Sequence, residues 1–479
     1  MPIHSTTVPA RNPRRRNARF AFALAPALAL AACAVAPLPR LPDETPVRWQ
    51  QARSAAQAPA ADLRGWWKAF NDPQLDRLVE AALSDNLGIA QAAVRIEGAR
   101  TLDRHHDAAF LPQFGFRTYA EPTPDSSASY FQAGFDAKWE FGLFGRAQSQ
   151  ARVSAGDLGI AEAEEQAARV SVVAEVVRSY VELRTAQHRR SLLALLSETA
   201  QARSALVVTR EHLRLASATD VAHASAQASA ARAALAGPDA AIVRARQQLS
   251  ALLGRSGAAD DIAADPAAAM PGVSAFAIDS LPADLVRTRP EIRRAEFEVL
   301  KKAGELGLAH ADLFPRIGLG GALTYAAKVI GHTRLSDADG IVTFGPAIDI
   351  PLFDWGARHA VEQARDAELQ ASLLAYRQAV LDGVAEVESA LAALHAQVER
   401  GALLEQTLPA LDKAVAGAAT LRRLGLADGA DLAAATGAKV EAELELAQAQ
   451  QERSLAFIAL YKALGGAPLP ATAAAERTP

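Results

Sequence analysis

Of 479 residues, one is cysteine. A single cysteine excludes an internal disulfide and any metal site built from several thiolates. Aromatic residues make up 6% of the chain and apolar residues 50%, much of it alanine. That mixture suits long, closely packed helices rather than a thick globular core. Charge of one sign is also lacking, because 50 basic and 54 acidic residues give a formal net charge of −4. No basic excess and no basic patch interleaved with aromatics points to nucleic acid. Catalytic signatures are missing as well. The ten histidines are scattered, His105-His106 is a lone pair expected on a helix, and there is no His-Glu-x-x-His, phosphate loop or dinucleotide fingerprint. Gly318-x-Gly320-Gly321 falls in an alternating stretch, where small residues suit a lumen or a close neighbour. Neither an enzymatic activity nor a cofactor nor a metal is expected.

The first 32 residues read as a targeting signal. Arg11, Arg14, Arg15, Arg16 and Arg19 form a positive region ahead of Phe20–Ala32, an apolar stretch of 13 residues interrupted by Pro26. That length cannot span a bilayer as a helix. The stretch ends in Leu30-Ala31-Ala32-Cys33, which resembles a bacterial lipobox. The resemblance implies acylation of Cys33 and cleavage at its amino side, which leaves it as residue one of the mature protein. Several acyl chains, at about 0.8 kcal/mol per buried CH₂, anchor a protein stably to a membrane. Ala34 follows, with no acidic residue of the kind that typically retains such lipoproteins in the inner membrane.

What remains is written twice. Ile89, Ala92, Ala108, Pro112 and Gly115 recur 203 residues later as Ile292, Ala295, Ala311, Pro315 and Gly318. The offset widens to 209 for Leu143 and Phe144 with Leu352 and Phe353, and to 211 for Gly145 with Gly356, Leu213 with Leu424, Asp220 with Asp431 and Gly254 with Gly465. The organisation read from this is a lipid-anchored segment over 33–72, a first repeat over 73–254, a linker over 255–280, a second repeat over 281–466 and a tail over 467–479. Each repeat orders its parts as helix, two strands, very long helix, break and helix.

The strands lie near 112–144 and 315–353, where the helical period gives way to a period of two. Phe131, Ala133, Phe135, Ala137, Trp139 and Phe141 alternate with Gln132, Gly134, Asp136, Lys138 and Glu140. In the second repeat Ile317, Leu319, Leu323 and Tyr325 alternate with Gly318, Gly320, Ala322 and Thr324, and Val342, Phe344, Ile348 and Ile350 with Thr343, Gly345, Ala347 and Asp349. One face suits lipid and the other water. Asp136, Lys138, Glu140 and Asp349 are the candidate lumen-facing residues. Roughly 9 to 11 residues cross a bilayer as a tilted strand. Polar loops, Glu121 to Ser129 and Lys328 to Gly340, join each pair. Four strands cannot close alone, since open edges would leave backbone groups unpaired in hydrocarbon. A dimer gives 8 strands and a trimer 12; a lumen favours the trimer.

No proline interrupts residues 148–215 or 357–408. Some 65 residues at about 1.5 Å each reach roughly 100 Å, which no globular core needs. Each run stops at matched breaks, Leu213 to Asp220 and Leu424 to Asp431. Ser217, Asp220, Asp428 and Asp431 are candidate caps for the returning helices. Pro238 and Pro409 are expected to mark breaks, and Gly156 with Gly159 weaker spots.

Trp66-Trp67-Lys68-Ala69-Phe70-Asn71-Asp72-Pro73-Gln74-Leu75, Leu281 to Ile292, and Leu460-Tyr461-Lys462-Ala463-Leu464-Gly465-Gly466 resemble, in order, the motifs of outer-membrane efflux lipoproteins of the NodT type. Phe141 to Arg146 and Pro351 to Arg358 resemble that family's strand-to-helix turns. The resemblance covers essentially the whole mature chain. It implies a TolC-like α+β membrane protein whose four transmembrane β-strands join a homotrimeric 12-stranded barrel, continued by a long α-helical periplasmic barrel. It also implies residence in the outer membrane of a Gram-negative bacterium. The partners implied are a periplasmic adaptor and an inner-membrane transporter of the RND type, and the cargo small toxic compounds or drugs. Family channels are held shut at the helical tip by contacts of acidic residues, for which Asp220, Asp428 and Asp431 are the counterparts. Members usually carry glycine where this chain has Arg214, while Gly425 keeps it. The alternatives are a duct for type I protein secretion and a non-channel tether; alternating strands argue against the tether.

Overall fold

The computed structural model describes residues 37–41, 49–50, 63–121, 130–257, 272–273, 287–328 and 340–466. Cys33, both strand-hairpin loops, most of the linker and the tail lie outside the described residues. The repeat order is visible in the elements. Helices α1 (Pro73–Asp85) and α2 (Leu87–Asp103) precede strands β1 (Gln113–Glu121) and β2 (Tyr130–Glu140). Then come α3 (Arg146–His212), α4 (Ala218–Ala233) and α5 (Ala236–Leu252). The second copy has α6 (Pro290–Ala311), β3 (Arg316–Lys328), β4 (Gly340–Asp349), α7 (Ala357–Glu405), α8 (Leu408–Arg423) and α9 (Gly429–Ala463). No described helix is long and apolar enough to cross a membrane.

The chain divides into two compact units, and each draws on both repeats. One comprises Met1–Leu41, Gly98–Ile160 and Ala295–Tyr376; the other Pro42–Glu97, Ala161–Arg294 and Arg377–Pro479. The first contains a four-stranded antiparallel sheet in the order β1-β2-β3-β4. Its central pairing, β2 with β3, joins the two repeats, with Asp136 opposite Ala322 and Glu140 opposite Gly318. Phe141 falls one residue past β2, where its N–H bonds the Ile317 carbonyl at 3.1 Å.

Gly156 and Gly159 are not weak spots. Helix α3 runs through both without a break, and both pack closely against α6. A Cβ on Gly156 would lie 2.7 Å from the Lys301 Cβ, and one on Gly159 would strike the Phe297 ring. Absence of side-chain volume, rather than backbone freedom, is what these positions supply.

Two helix breaks in the second unit fall at proline. Pro238 sits in the first turn of α5 and Pro409 in that of α8, where a missing N–H costs no helical bond. The two repeats therefore break opposite arms of their hairpins. The first keeps α3 whole and splits its return into α4 and α5, whereas the second splits its outgoing arm into α7 and α8 and returns in one piece as α9. The three family-like motifs meet here. The Trp66 and Tyr461 rings stack at 5.3 Å, and the Trp66 indole N–H donates to the Gly466 carbonyl at 3.1 Å. Arg289, from the middle motif, donates to the Gly383 carbonyl at 3.3 Å and to Glu386 at 2.6 Å. Asp72 caps α1 by accepting from the Gln74 N–H at 2.9 Å, and its other oxygen receives the Tyr180 hydroxyl at 2.6 Å. Burial first, and Asp72 second, push the Tyr180 hydroxyl well above its ordinary value. These motifs form a packing clasp, which explains their spacing without assigning them a site.

Candidate channel wall and helical tips

Strand register sorts the sheet into two faces. On one, Phe114, Ala137, Gly321 and Phe344 lie in a row across all four strands, and Phe116, Phe135, Leu323 and Val342 in the next. Phe114 is 83% exposed and Phe344 80%. A soluble protein rarely leaves so continuous an apolar patch open to water. The opposite face carries Asp136, Lys138, Glu140 and Asp349 among Gly318, Gly320, Ala322, Gly345 and Ala347. All four candidate lumen residues thus share one face, consistent with their even alternation.

The three carboxylates come with partners that alternation alone leaves unnamed. The Arg117 guanidinium lies 3.3 Å from Asp136, and Arg146 lies 3.4 Å from Glu140. Asp349 stands directly opposite Arg316 in the β3–β4 register. Arg117 is legible in retrospect, because Gly115, opposite Asp136, has the same parity. At the foot of the sheet Asp312 accepts from both Arg146 and Arg316, the latter at 2.6 Å. Burial, the largest single influence, pushes the Asp312 carboxyl up, but the two guanidinium groups together outweigh it and hold it below 3.8.

The sheet joins the long helices through matched left-handed pairs. Phe144 and Gly145 have φ of 55° and 78°, and Trp355 and Gly356 58° and 81°. Backbone geometry therefore pairs Phe144 with Trp355, not with Phe353. Two residues are inserted after β4, before this turn, which is why the offset grows from 209 at the strand ends to 211.

At the far ends of the long helices the same symmetry holds. Arg214 adopts φ 59° and Gly425 φ 71°. The Leu215 N–H bonds the Arg210 carbonyl at 2.7 Å, and the Leu426 N–H the Leu421 carbonyl at 2.9 Å. Both are six-residue closures of a helix C-terminus around a left-handed residue. Arg214 thus makes the same left-handed turn in the first repeat that Gly425 makes in the second.

The tip acids divide by role. Ser217 caps α4 in a reciprocal box with Asp220, whose carboxylate accepts from the Ser217 N–H at 2.8 Å. Asp428, 211 positions after Ser217, caps α9 by accepting from Ala430 N–H at 2.6 Å and Asp431 N–H at 3.2 Å. Its second oxygen receives Arg210 at 3.0 Å. Asp431 is exposed in the first turn and is capped rather than capping. The backbone N–H groups of Ala430 and Asp431, then Arg210, hold the Asp428 carboxyl below 3.8. Hydrogen bonds from the Ser217 backbone and then its hydroxyl do the same for Asp220. His105 and His106 lie in the turn after α2 rather than on it, each ring nitrogen donating to a carbonyl of the helix end, Thr101 and Asp103.

Residues 78–255 and 281–466 match the family model described as outer membrane efflux protein. Nodulation protein T of Rhizobium leguminosarum bv. trifolii is 27% identical over 422 residues, covering 84% of this chain and 87% of that protein. The pyoverdine export outer membrane protein OpmQ of Pseudomonas aeruginosa is 28% identical over 466 residues, covering 92% and 95%. Among solved structures, the outer-membrane channel OprN superposes with a TM-score of 0.79 at 30% identity, covering 91% of this chain and all of that one.

Proposed function

This chain belongs to the outer membrane efflux protein family, and from that premise we propose that it works as a homotrimer whose three sheets close one 12-stranded barrel around a passive duct for small toxic compounds. As a member of this family it is an outer-membrane channel of a Gram-negative efflux system, with a large periplasmic portion. The observation that carries the proposal is the sheet itself. Among the described residues β1 and β4 pair on one side only, while an exposed apolar face demands lipid or protein cover. Unpaired backbone is not tolerated in hydrocarbon, and three copies supply enough strands to leave a lumen lined by the small and charged face.

Lipid on Cys33 anchors the amino terminus to the membrane, and neither a cofactor nor a chemical step of the protein's own is involved. Asp220, Asp428 and Asp431 mark the closed periplasmic tip, which docks on a periplasmic adaptor that links it to an inner-membrane transporter of the RND type. Supporting a closed tip is the Arg210–Asp428 pair, which ties the first hairpin to the start of α9. Single-channel recording in planar bilayers tests the duct. Discrete conductance steps are expected; membrane insertion without steps at any voltage would overturn it.

A further inference from the structure

We propose that the helical unit carries a binding site for a phosphate- or carboxylate-bearing anion, in the cavity beside the break between α4 and α5. The cavity has a volume of about 470 Å³ and is lined by Arg178, Arg189 and Arg244 together with Gly237, Gln248 and Gln451. That size accommodates a small organic anion. Arg178 is already neutralised, with Glu175 on one side and Glu182 at 2.6 Å on the other. Gln248 is likewise engaged, donating to Glu175 at 3.2 Å. Arg189 is different: its Nε is buried and bonds no acceptor. Arg244 forms no ion pair among the described residues, and Glu182 is the only carboxylate lining the cavity. The neighbouring Asp239 is itself paired with Arg190, at 2.5 Å.

Arg189 and Arg244 therefore bring two guanidinium charges to the cavity wall with no carboxylate paired to either among the described residues, and a charge-assisted bond to an oxyanion is among the strongest ways to offset such charge. Two guanidinium groups converging on one cavity also give the planar, forked donors that phosphate and carboxylate groups prefer.

The test uses the full-length protein in detergent, titrated calorimetrically with inorganic phosphate and separately with citrate, against chloride at constant ionic strength. Wild type is expected to bind one anion per chain. Arg189→Gln with Arg244→Gln should weaken binding at least tenfold. Gly237→Leu blocks the cavity without disturbing the fold, since a Cβ there meets no heavy atom within 4 Å, and should weaken binding equally. Binding of phosphate but not citrate restricts the site to phosphate-type ligands, and the reverse to carboxylates. No saturable binding of either by wild type, or binding unchanged in both variants, overturns the proposal. Loss of oligomer in Arg189→Gln without anion binding by wild type identifies a carboxylate of a second copy as the occupant instead, and also overturns it.

Discussion

Arg210 and Asp428 stand 218 residues apart in sequence and 3.0 Å apart in space. The carboxylate that accepts from Arg210 also caps α9, so one side chain joins the outgoing arm of the first hairpin to the return arm of the second. The capping and pairing roles are separable, because the first repeat shows how a neutral residue caps the equivalent helix. Asp428→Ser is expected to keep the cap, as Ser217 does, and to lose the charge. Asp428→Ala should lose both. If the pair helps close the tip, both variants and Arg210→Ala raise single-channel conductance, while hydrogen exchange in the first turn of α9 accelerates only in Asp428→Ala. Unaltered conductance in all three would leave Asp428 as a cap alone.

Acid should act on the same residue with a definite sign. The Asp428 carboxyl lies below its ordinary 3.8 because backbone N–H groups, then Arg210, favour its charged form. Its contribution to the tip is therefore complete above about pH 4 and disappears as pH falls through that lowered value. Exchange of the Ala430 and Asp431 amides relative to their intrinsic rates, followed from pH 6 downward, should stay slow until below pH 4 and then rise. A rise centred near neutrality would contradict this assignment.

Arg214 offers a stabilising change. A non-glycine residue in the left-handed region costs roughly 1 kcal/mol relative to glycine, and Arg214 sits there with φ 59°. Arg214→Gly is expected to raise the thermal midpoint, offset in part by the greater freedom of the unfolded chain. Arg214→Val should lower it. Calorimetry of both variants checks the ordering.

Two helical glycines should respond in opposite ways. Gly98→Ala, where a Cβ meets nothing within 4 Å, should stabilise α2 by about 0.5–1 kcal/mol. Gly156→Leu drives a side chain into the Lys301 backbone and should cost about 1–3 kcal/mol. Denaturant midpoints distinguish them, and equal effects would refute the close α3–α6 approach.

The paired charges on the small-residue face make a prediction about ions. Asp136→Asn leaves Arg117 without its carboxylate at 3.3 Å and should shift permeability toward anions. Phe135→Lys, one position away on the apolar face, is expected instead to prevent membrane assembly, at about 2–4 kcal/mol near the bilayer midplane. Reversal potentials read the first and heat-modifiable oligomer bands the second. Equivalent outcomes for the two would contradict the facial assignment.

Much of this geometry is legible in the residue pattern because the periods are long and the repeats mark each other. Alternation placed Asp136, Lys138, Glu140 and Asp349 on one face, and Pro238 and Pro409 marked true breaks. What escaped depends on distances across the chain. Nothing local in β2 says that it pairs with β3 of the other repeat, or that Arg210 reaches Asp428. Gly156 and Gly159 misled for a physical reason: glycine lowers helix propensity, and only the neighbouring helix shows why its lack of a side chain is needed. Residue type matches Phe144 to Phe353, whereas the backbone matches it to Trp355 by conformation.

The central claim is that one sheet is a third of a barrel wall. Light scattering of the detergent-purified protein, corrected for bound detergent, measures it most directly. Three chains of 50.4 kDa before removal of the leader are expected per particle, dissociating only on heating. A monodisperse single chain that keeps its strand signal in circular dichroism would contradict the account.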